Sequence, residues 1–344
     1  MTVAKKKNVK TVALFNTLNA GNIGLENFME QRGPLERVIL VVKQSRADAL
    51  KQMKAIHPDS SVPVKAASEF RGGMILGGVR ALMRLGASVI HVHHAQAALV
   101  GAIARCFSKS RLVTTAHNDF ANYKIWHNWA FGIAFHRSDC VICNSEGTKA
   151  SLPLFVSRNK ISVIYNGVDF SKIDDALRTA EPRHGDGSIL IATVCRMVPQ
   201  KDLPTLLHGF YKAHRRSSLP LRLRLVGDGE QRPMVERLIR ELDLQEVVEL
   251  IGAVPRVDVY RHMADMDIFV VTSRWEGFCN AMVEAAAAGN AIIATDIDPL
   301  PEVVGRENAS FFEMGDSDAL CEHILMLAAD EHWRNALGTK AREF

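Results

Sequence analysis

Short apolar runs recur along this chain and alternate with longer segments in which apolar and polar residues are mixed at helical spacing. Such runs stand at 11–15 (TVALF), 38–42 (VILVV), 112–115, 188–194 (SILIATV) and 222–226. Each has the length and the β-branched content of a strand that is covered on both faces. Strands that alternate with helices in this way form parallel βαβ units, so the pattern predicts an α/β protein.

The segment 267–304 holds the clearest of these units. The apolar run DIFVVT at 267–272 is followed by a loop, an alanine-rich helix, a glycine stop and a second apolar run at 291–295. Asn280 is predicted to be the N-cap of the helix. In open parallel sheets, ligands bind beyond the carboxyl ends of the strands, so the loop that carries Glu276 is a candidate binding site.

This loop offers groups that suit a nucleotide diphosphate, because a helix N-terminus attracts anions. The backbone amides at the start of the helix belong to four residues, which are candidate donor contacts: Gly277, Phe278, Cys279 and Asn280. Glu284 lies about one turn further along and is predicted to accept hydrogen bonds from ribose hydroxyls. The alternative is that Glu276 and Glu284 are both solvated surface residues.

The segment resembles the signature of the retaining GT-B glycosyltransferases of family 4, the glycosyl transferases group 1. The resemblance rests on Glu-Gly-Phe at 276–278, a second glutamate at Glu284, the alanine-rich helix, and the motifs at 294–296 (ATD) and 301–304 (PEVV). It implies two Rossmann-like, doubly wound parallel-sheet domains that face each other across a cleft. It also implies a nucleotide-sugar donor whose sugar hydroxyls are held by Glu276.

The length of the chain agrees with two domains, since 344 residues, 47% of them apolar, can bury more than one core. The resemblance predicts an acceptor-binding domain at 1–169 and a nucleotide-sugar-binding domain at 170–344, with a linker at about 166–188. The run 166–169 (NGVD) resembles the hinge of the family, and Asn166 is a candidate donor contact. The last helix of family members packs back on the first domain, and here it is expected to be short or missing.

Two basic residues follow the first apolar run of the second domain. Arg196 stands just after the strand predicted at 188–194, and Lys201 comes five residues later. An arginine and a lysine on one strand-end loop suit a departing diphosphate. The family places Arg and Lys at this spacing for that role, so the resemblance makes both residues donor-binding and catalytic candidates.

The first domain contributes one further catalytic candidate and a loop. His117 follows the strand predicted at 112–115, and by the resemblance the histidine at this place faces the donor sugar. Gly21, Asn22 and Gly24 follow the first strand, where a loop that faces the acceptor is expected.

Charge is divided unequally between the two halves. Residues 1–170 hold 22 Lys and Arg against 10 Asp and Glu, a net charge of +12, and the remainder holds 20 against 28, a net charge of −8. A basic half indicates an acidic partner. The sequence carries no nucleic-acid-binding signature, so an anionic membrane surface or a phosphate-bearing acceptor is favoured. The alternative is that the lysines only keep the domain soluble.

A glycine-rich segment at 68–85 is predicted to be a helix and is a candidate for contact with lipid headgroups, with a packed core helix as the alternative. No apolar run approaches the roughly 18 residues of a membrane span, and the N-terminus lacks the apolar core of a signal peptide. The protein is therefore expected in the cytoplasm, peripherally on the inner face of the cytoplasmic membrane.

No metal site and no cofactor are predicted. Cys140 and Cys143 have metal-ligand spacing but stand in a strand-like run without a second pair, and the pair His93-His94 lacks a third ligand at a suitable spacing. The Asp-x-Asp triplets at 265–267 and 296–298 border buried strands and are not interpreted as metal ligands.

The residues and the resemblance together predict a retaining, metal-independent hexosyltransferase. It would move a sugar from a nucleotide-diphosphate donor, a UDP-sugar before a GDP-sugar, to a lipid-linked or oligosaccharide acceptor. The product would be a cell-surface glycan such as lipopolysaccharide or capsule. Two alternatives are a sugar-nucleotide epimerase of similar fold and a catalytically silent nucleotide-sugar-binding protein.

Overall fold

The computed structural model describes residues 10–18, 36–56, 60–122, 125–179 and 187–344. The predicted acceptor loop with Gly21, Asn22 and Gly24 lies outside these residues. The chain divides between Asn166 and Gly167 into two compact units. Each unit is built around one parallel sheet.

The first unit alternates strands and helices, as the apolar pattern predicts. Its described strands are β1 (Lys10–Phe15), β2 (Glu36–Val41), β3 (Val64–Ala66), β4 (Val89–Val92), β5 (Arg111–Ala116), β6 (Cys140–Cys143) and β7 (Ile161–Val163). Its described α-helices are α1 (Arg46–Ile56), α2 (Gly73–Leu85), α3 (Ala95–Cys106), α4 (Ile125–Arg137) and α5 (Glu146–Ser151). The strands pair in parallel in the order β3-β2-β1-β4-β5-β6-β7.

The second unit repeats the scheme. Its strands are β8 (Ile189–Val194), β9 (Leu221–Val226), β10 (Val248–Gly252), β11 (Ile268–Val271), β12 (Ala291–Thr295) and β13 (Ser310–Phe312). Its described helices are α6 (Phe170–Thr179), α7 (Leu203–Arg216), α8 (Arg232–Glu241), α9 (Arg256–Asp265), α10 (Asn280–Ala287), α11 (Leu300–Val304), α12 (Ser317–Ala329) and α13 (Glu331–Glu343). The parallel order is β10-β9-β8-β11-β12-β13, with Ile268 beside Ile191.

Each sheet is covered on both faces, which explains why residues 12–15 of β1 and 189–192 of β8 are continuous apolar runs, whereas β9 (LRLRLV) alternates. In β1, Val12 and Leu14 belong to one apolar core, and Ala13 and Phe15 belong to a second core. Successive side chains of a strand point to opposite faces, so the two cores lie on the two sides of the first sheet. Strand β8 alternates between two cores in the same way. Helices on both faces of a parallel sheet define a doubly wound fold.

The strand order reverses once in each sheet, between β1 and β4 and between β8 and β11. In doubly wound folds this reversal opens a crevice at the carboxyl ends of the two strands, where ligands bind. The loop after β8 carries Arg196 and Lys201, and the loop after β11 carries Glu276. The topology therefore brings these three predicted donor residues to the switch point of the second sheet.

The helix predicted over 68–85 begins later than expected, at Gly73. Gly72 (φ 113°) and Gly73 (φ 67°) adopt the left-handed backbone region that other residues avoid, and they separate a short 3-10 turn from α2. Within α2, a Cβ atom on Gly77 would lie 2.4 Å from the carbonyl oxygen of Ala67. The glycines thus permit close packing, as the core-helix interpretation requires.

The closing segment of the chain forms two helices, α12 and α13. Asp330 separates them, because its side chain accepts a hydrogen bond of 2.8 Å from the backbone N–H of Trp333 and starts α13. Helix α13 packs against β12, α10 and α12. A Cβ atom on Gly338 would lie 2.1 Å from the carbonyl oxygen of Gly289, so this approach requires glycine.

Across the described residues, each helix is too short or too polar to span a lipid bilayer.

Candidate active site

A buried ion pair occupies the switch point of the second sheet. The Lys201 ammonium pairs with the Glu276 carboxylate, and both side chains are largely shielded from solvent. The hydroxyl of Ser273 donates a second hydrogen bond, of 2.7 Å, to the same Glu276 oxygen. Glu276 is therefore fixed in one orientation at the carboxyl end of β11, as a residue that must hold a ligand should be.

The two loops that supply this pair are joined by hydrogen bonds along their length. The Thr272 hydroxyl donates to the Lys201 carbonyl oxygen at 2.7 Å, and the Arg274 backbone N–H donates to the Gln200 carbonyl oxygen at 2.8 Å. The Gln200 side-chain amide in turn donates to the carbonyl oxygen of Trp275 at 2.8 Å. These hydrogen bonds hold the loop after β8 and the loop after β11 together. We call the two joined loops the Lys201–Glu276 wall.

The ionisation of this wall follows from its burial. Burial is the largest influence on Lys201 and lowers its pKa, but Glu276 and other nearby groups together outweigh it and raise the pKa above the usual range. Burial also raises the pKa of the Cys279 thiol to about 12 and raises that of Cys195. Lys201 thus stays protonated, with its charge balanced by the Glu276 carboxylate, and the two thiols stay neutral and unreactive.

Arg196 stands on the same loop as Lys201, with its side chain exposed to solvent. The turn at 227–230 supports this loop at close range. A Cβ atom on Gly227 (φ 129°) would lie 1.9 Å from the Cys195 carbonyl oxygen, and one on Gly229 would lie 2.4 Å from the Met197 carbonyl oxygen. Both glycines are therefore required for the position of the Arg196 loop.

Helix α10 begins at Asn280, at the end of the Glu276 loop. The prediction that Asn280 caps the helix is wrong, because Asn280 is its first helical residue and Cys279 takes the N-cap position. Cys279 has left-handed backbone (φ 63°), and its side chain makes no capping hydrogen bond. The positive end of α10 thus starts directly at the candidate site.

Glu284 lies on α10, and its side chain is buried rather than solvated. It forms an ion pair with Arg256, the first residue of α9. The Arg256 guanidinium also lies 5.6 Å from the ring centroid of Tyr260 and donates to its hydroxyl at 3.0 Å. Burial contradicts the alternative in which Glu276 and Glu284 are surface residues, since only 7% of Glu276 and 2% of Glu284 are exposed.

The switch point of the first sheet holds four histidines: His91, His93, His94 and His117. His93 Nδ1 lies 3.1 Å from His117 Nε2, so one of these two nitrogens carries the shared hydrogen. The His93 ring is also stacked on Phe15, with centroids 4.5 Å apart and planes 4° from parallel. His93 and His94 are thus part of the packing, and His93 holds His117 in place.

Burial keeps these histidines neutral. It lowers the pKa of His117 to about 3 and that of His91 and His94 to about 4. The pKa of His93 is lowered by burial and by the neighbouring rings. Neutral imidazoles can accept and donate hydrogen bonds at the same time, which suits contact with sugar hydroxyls.

Two family models match the chain, one for each unit. The model for glycosyl transferases group 1 matches residues 177–344, and the model for glycosyltransferase family 4 matches residues 32–172. This chain belongs to the glycosyl transferases group 1 of family 4. The family that the motif around Glu276 and Glu284 predicts is therefore confirmed.

Curated relatives of this glycosyltransferase come from archaea, bacteria and eukaryotes. A glycosyltransferase of Methanocaldococcus jannaschii is 29% identical over 75% of this chain and 70% of its own length. The phosphatidylinositol N-acetylglucosaminyltransferase GPI3 subunit of Saccharomyces cerevisiae is 30% identical over 59% of this chain and 46% of its own length. The lipopolysaccharide core biosynthesis glycosyltransferase LpsE of Rhizobium meliloti is 25% identical, over 61% of this chain and 59% of its own.

Solved structures resemble the glycosyltransferase over nearly its whole length. Anabaena Alr3699/HepE, in complex with UDP and glucose, superposes with a TM-score of 0.81 at 20% identity, covering 98% of this chain and 94% of the other. A sucrose-phosphate synthase from Thermosynechococcus elongatus gives 0.79 at 18% identity, with 98% and 94% covered. These likenesses confirm the predicted GT-B fold class.

The predicted site residues fall into two groups. In the second unit, Lys201 and Glu276 are in direct contact, and the other members share their loops or the helix that follows: Arg196, Gly277, Phe278, Cys279, Asn280 and Glu284. In the first unit, His117 belongs to the histidine cluster, and Asn166 is the last residue before the division of the chain.

Three partners of these residues were not predicted from the sequence: Gln200, Arg256 and Ser273. Gln200 and Ser273 stand on the loops that carry Lys201 and Glu276, so their position in the sequence could have indicated them. Arg256 is 28 residues from Glu284 in sequence, and only the packing of α9 on α10 brings the two together.

Three of the four Asp-x-Asp aspartates have structural partners. Asp265 pairs with Arg224, the Asp267 side chain accepts from the Leu190 backbone N–H at 2.9 Å, and Asp296 pairs with Arg306. Cys140 and Cys143 lie in β6 and form no disulfide. Within the described residues, no three His, Cys, Asp or Glu side chains are grouped to hold a metal ion.

Proposed function

We propose that this glycosyltransferase moves a sugar from a nucleotide-diphosphate donor to a lipid-linked or oligosaccharide acceptor, with retention of the anomeric configuration and without a metal ion. The second unit binds the donor and the first unit binds the acceptor. The main support for this proposal is the buried ion pair of Lys201 and Glu276, which lies at the switch point of the second sheet, beside the start of α10.

The charges of this site match the charges of the reaction. As the sugar leaves, negative charge grows on the diphosphate and positive charge grows at the anomeric carbon. Arg196, Lys201 and the positive end of α10 stabilise the departing diphosphate. Glu276 holds the sugar hydroxyls, and the buried Glu284, steadied by Arg256, accepts from the ribose.

His117 contributes from the first unit. Its neutral ring, held by His93, hydrogen-bonds a hydroxyl of the transferred sugar. Among the side chains described at the second-unit site, the two nearby thiols are protonated, and none is an activated nucleophile. A covalent sugar–enzyme intermediate is therefore not part of the proposal. By the resemblance to the retaining family, the acceptor attacks on the face that the diphosphate leaves, so that the anomeric configuration is retained.

The names of relatives support the substrate classes. Alr3699/HepE is bound to UDP and glucose, which favours a UDP-sugar over a GDP-sugar. LpsE acts in lipopolysaccharide core biosynthesis, and a 25% identical Campylobacter jejuni relative acts on a diphospho-undecaprenol-linked sugar. We infer a cell-surface glycan as the product, assembled on the cytoplasmic side of a membrane that the basic first half of the chain (+12) approaches.

The experiment is a transfer assay with UDP- and GDP-sugars, polyprenyl-diphosphate-linked or oligosaccharide acceptors, and analysis of the product anomer by NMR. Glu276→Ala is expected to lower turnover about 100-fold or more. Circular dichroism at the assay temperature checks that the variant is folded, since loss of the buried pair also lowers its stability. The isosteric Glu276→Gln variant removes the charge but keeps the shape of the side chain, so it separates the two effects. Transfer at the normal rate by Glu276→Ala, or an inverted product, would contradict the proposal.

A further inference from the structure

Helix α4 exposes apolar side chains on one face. Ile125 is 77% exposed and Trp129 is 72% exposed, and Trp126 and Ile133 are exposed as well. Positions 125, 129 and 133 are four residues apart and therefore form one stripe along the helix. The opposite face is buried through Ala130, Phe131, Ala134 and Phe135. Helix α4 is thus held in the unit by one face and presents large apolar groups on the other.

A second segment extends this stripe. Leu154, which is 93% exposed, and Phe155 lie just after α5. A Cβ atom on Gly132 would lie 3.4 Å from the tip of the Phe155 ring, so Phe155 packs over α4. We call Ile125, Trp126, Trp129, Ile133, Leu154 and Phe155 the aromatic face.

The surroundings of the aromatic face are basic. Residues 125–160 contain four Lys or Arg and two Asp or Glu. Both acidic residues are occupied, because Asp139 pairs with Arg105 at 3.5 Å and Glu146 pairs with Lys149 at 2.7 Å. Arg158 and Lys160 lie on a short 3-10 turn that begins three residues after Phe155. Large apolar groups are thus bordered by an excess of positive charge.

We propose that the aromatic face docks on the headgroup region of an anionic lipid bilayer. Tryptophan prefers the boundary between headgroups and acyl chains, and basic residues beside an apolar face attract anionic lipids. A second copy of this chain would bring two basic surfaces together and is disfavoured by their repulsion. The proposal refines the membrane association stated under the proposed function, on which it rests, and moves it from α2 to α4.

The test measures co-flotation of the full chain with vesicles of phosphatidylcholine, with and without phosphatidylglycerol. The wild type is expected to float with the anionic vesicles only. The Trp129→Glu/Leu154→Glu variant is expected to bind them about tenfold or more weakly, since it loses apolar insertion and gains negative charge. Circular dichroism and thermal unfolding confirm that it is folded.

The matched control is Leu76→Glu/Met83→Glu, which changes the charge equally at two exposed apolar positions of α2 in the same unit. It is expected to lose much less binding than the Trp129→Glu/Leu154→Glu variant. If the wild type does not bind anionic vesicles, both the membrane association and this proposal are overturned. If the wild type binds and the two variants bind equally, or if the aromatic face instead forms a dimer, only the present proposal is overturned.

Discussion

Lys201 and Glu276 form a buried ion pair although 75 residues separate them in sequence. Each residue stands on the loop that follows one of two neighbouring strands, β8 and β11, where the strand order of the second sheet reverses. A buried ion pair contributes little to stability by itself, because desolvation of both charges offsets their attraction. We therefore infer that the pair serves to bind the donor rather than to stabilise the fold.

Removing one partner of this pair should destabilise the protein. Glu276→Gln leaves the buried Lys201 charge without a counter-charge, and we expect the free energy of unfolding to fall by about 3–5 kcal/mol. The double variant Glu276→Gln/Lys201→Met should recover most of this loss. Urea unfolding of the wild type, both single variants and the double variant gives the coupling energy directly.

The exposed pair of Lys212 and Asp318, with 2.7 Å between Nζ and Oδ1, provides the control for this cycle. Its coupling should be at most about 1 kcal/mol. Equal coupling energies for the two pairs would show that Lys201 and Glu276 are not the desolvated pair described above.

The histidine cluster should make the protein sensitive to acid. Because burial depresses the folded-state pKa of His91 and His94 to about 4 and of His117 to about 3, the unfolded chain binds these protons first as the pH falls. The stabilising effect of neutral histidines is complete above about pH 6.5 and declines between pH 6.5 and 3, by about 1.4 kcal/mol per unit of pKa difference.

The measurement is the free energy of unfolding as a function of pH, for the wild type and for His91→Gln. The variant should show a shallower decline below pH 6.5, since one titrating group is removed. Identical slopes would mean that the cluster titrates normally in the folded protein.

Gly227 should be intolerant of any side chain. In Gly227→Ala the new Cβ would meet the Cys195 carbonyl oxygen at 1.9 Å, in addition to the cost of a positive φ. We expect a loss of about 3 kcal/mol or more and a displaced Arg196 loop. Gly315→Ala has a positive φ of 83° and no atom within 4 Å of the new Cβ, so it isolates the backbone cost, about 1 kcal/mol. Equal thermal unfolding temperatures would contradict the close approach.

The fold was predictable to the extent that it depends on local pattern. Strand β12, and strand β2 from Val38 onward, are covered on both faces, so their sequences are continuous apolar runs that mark them without further information. The start of α2 was missed because Gly72 and Gly73 carry no helical periodicity and take positive φ values. Similarly, Asp330 divides the last helix by a single hydrogen bond that the apolar pattern does not record.

The candidate site was predictable where its residues share one loop. Glu276 and the start of α10 are contiguous in sequence, and the loop itself pointed to them. The contact of Glu276 with Lys201 required the strand order, and that of Glu284 with Arg256 required the packing of two helices. The pairing of His93 with His117 likewise depends on the parallel register of β4 and β5. None of these three contacts can be predicted from sequence spacing alone.

We predict that the second unit binds a nucleotide diphosphate at the Lys201–Glu276 wall. The most direct test is thermal unfolding with UDP, GDP or ADP, without added metal, for the wild type, Arg196→Ala and Arg237→Ala. The last variant removes another exposed arginine of the same unit as a control. We predict selective stabilisation by UDP, about 2.7 kcal/mol at 100 times its Kd, which Arg196→Ala weakens and Arg237→Ala preserves. Absence of stabilisation by any of the three nucleotides in the folded wild type would contradict the account.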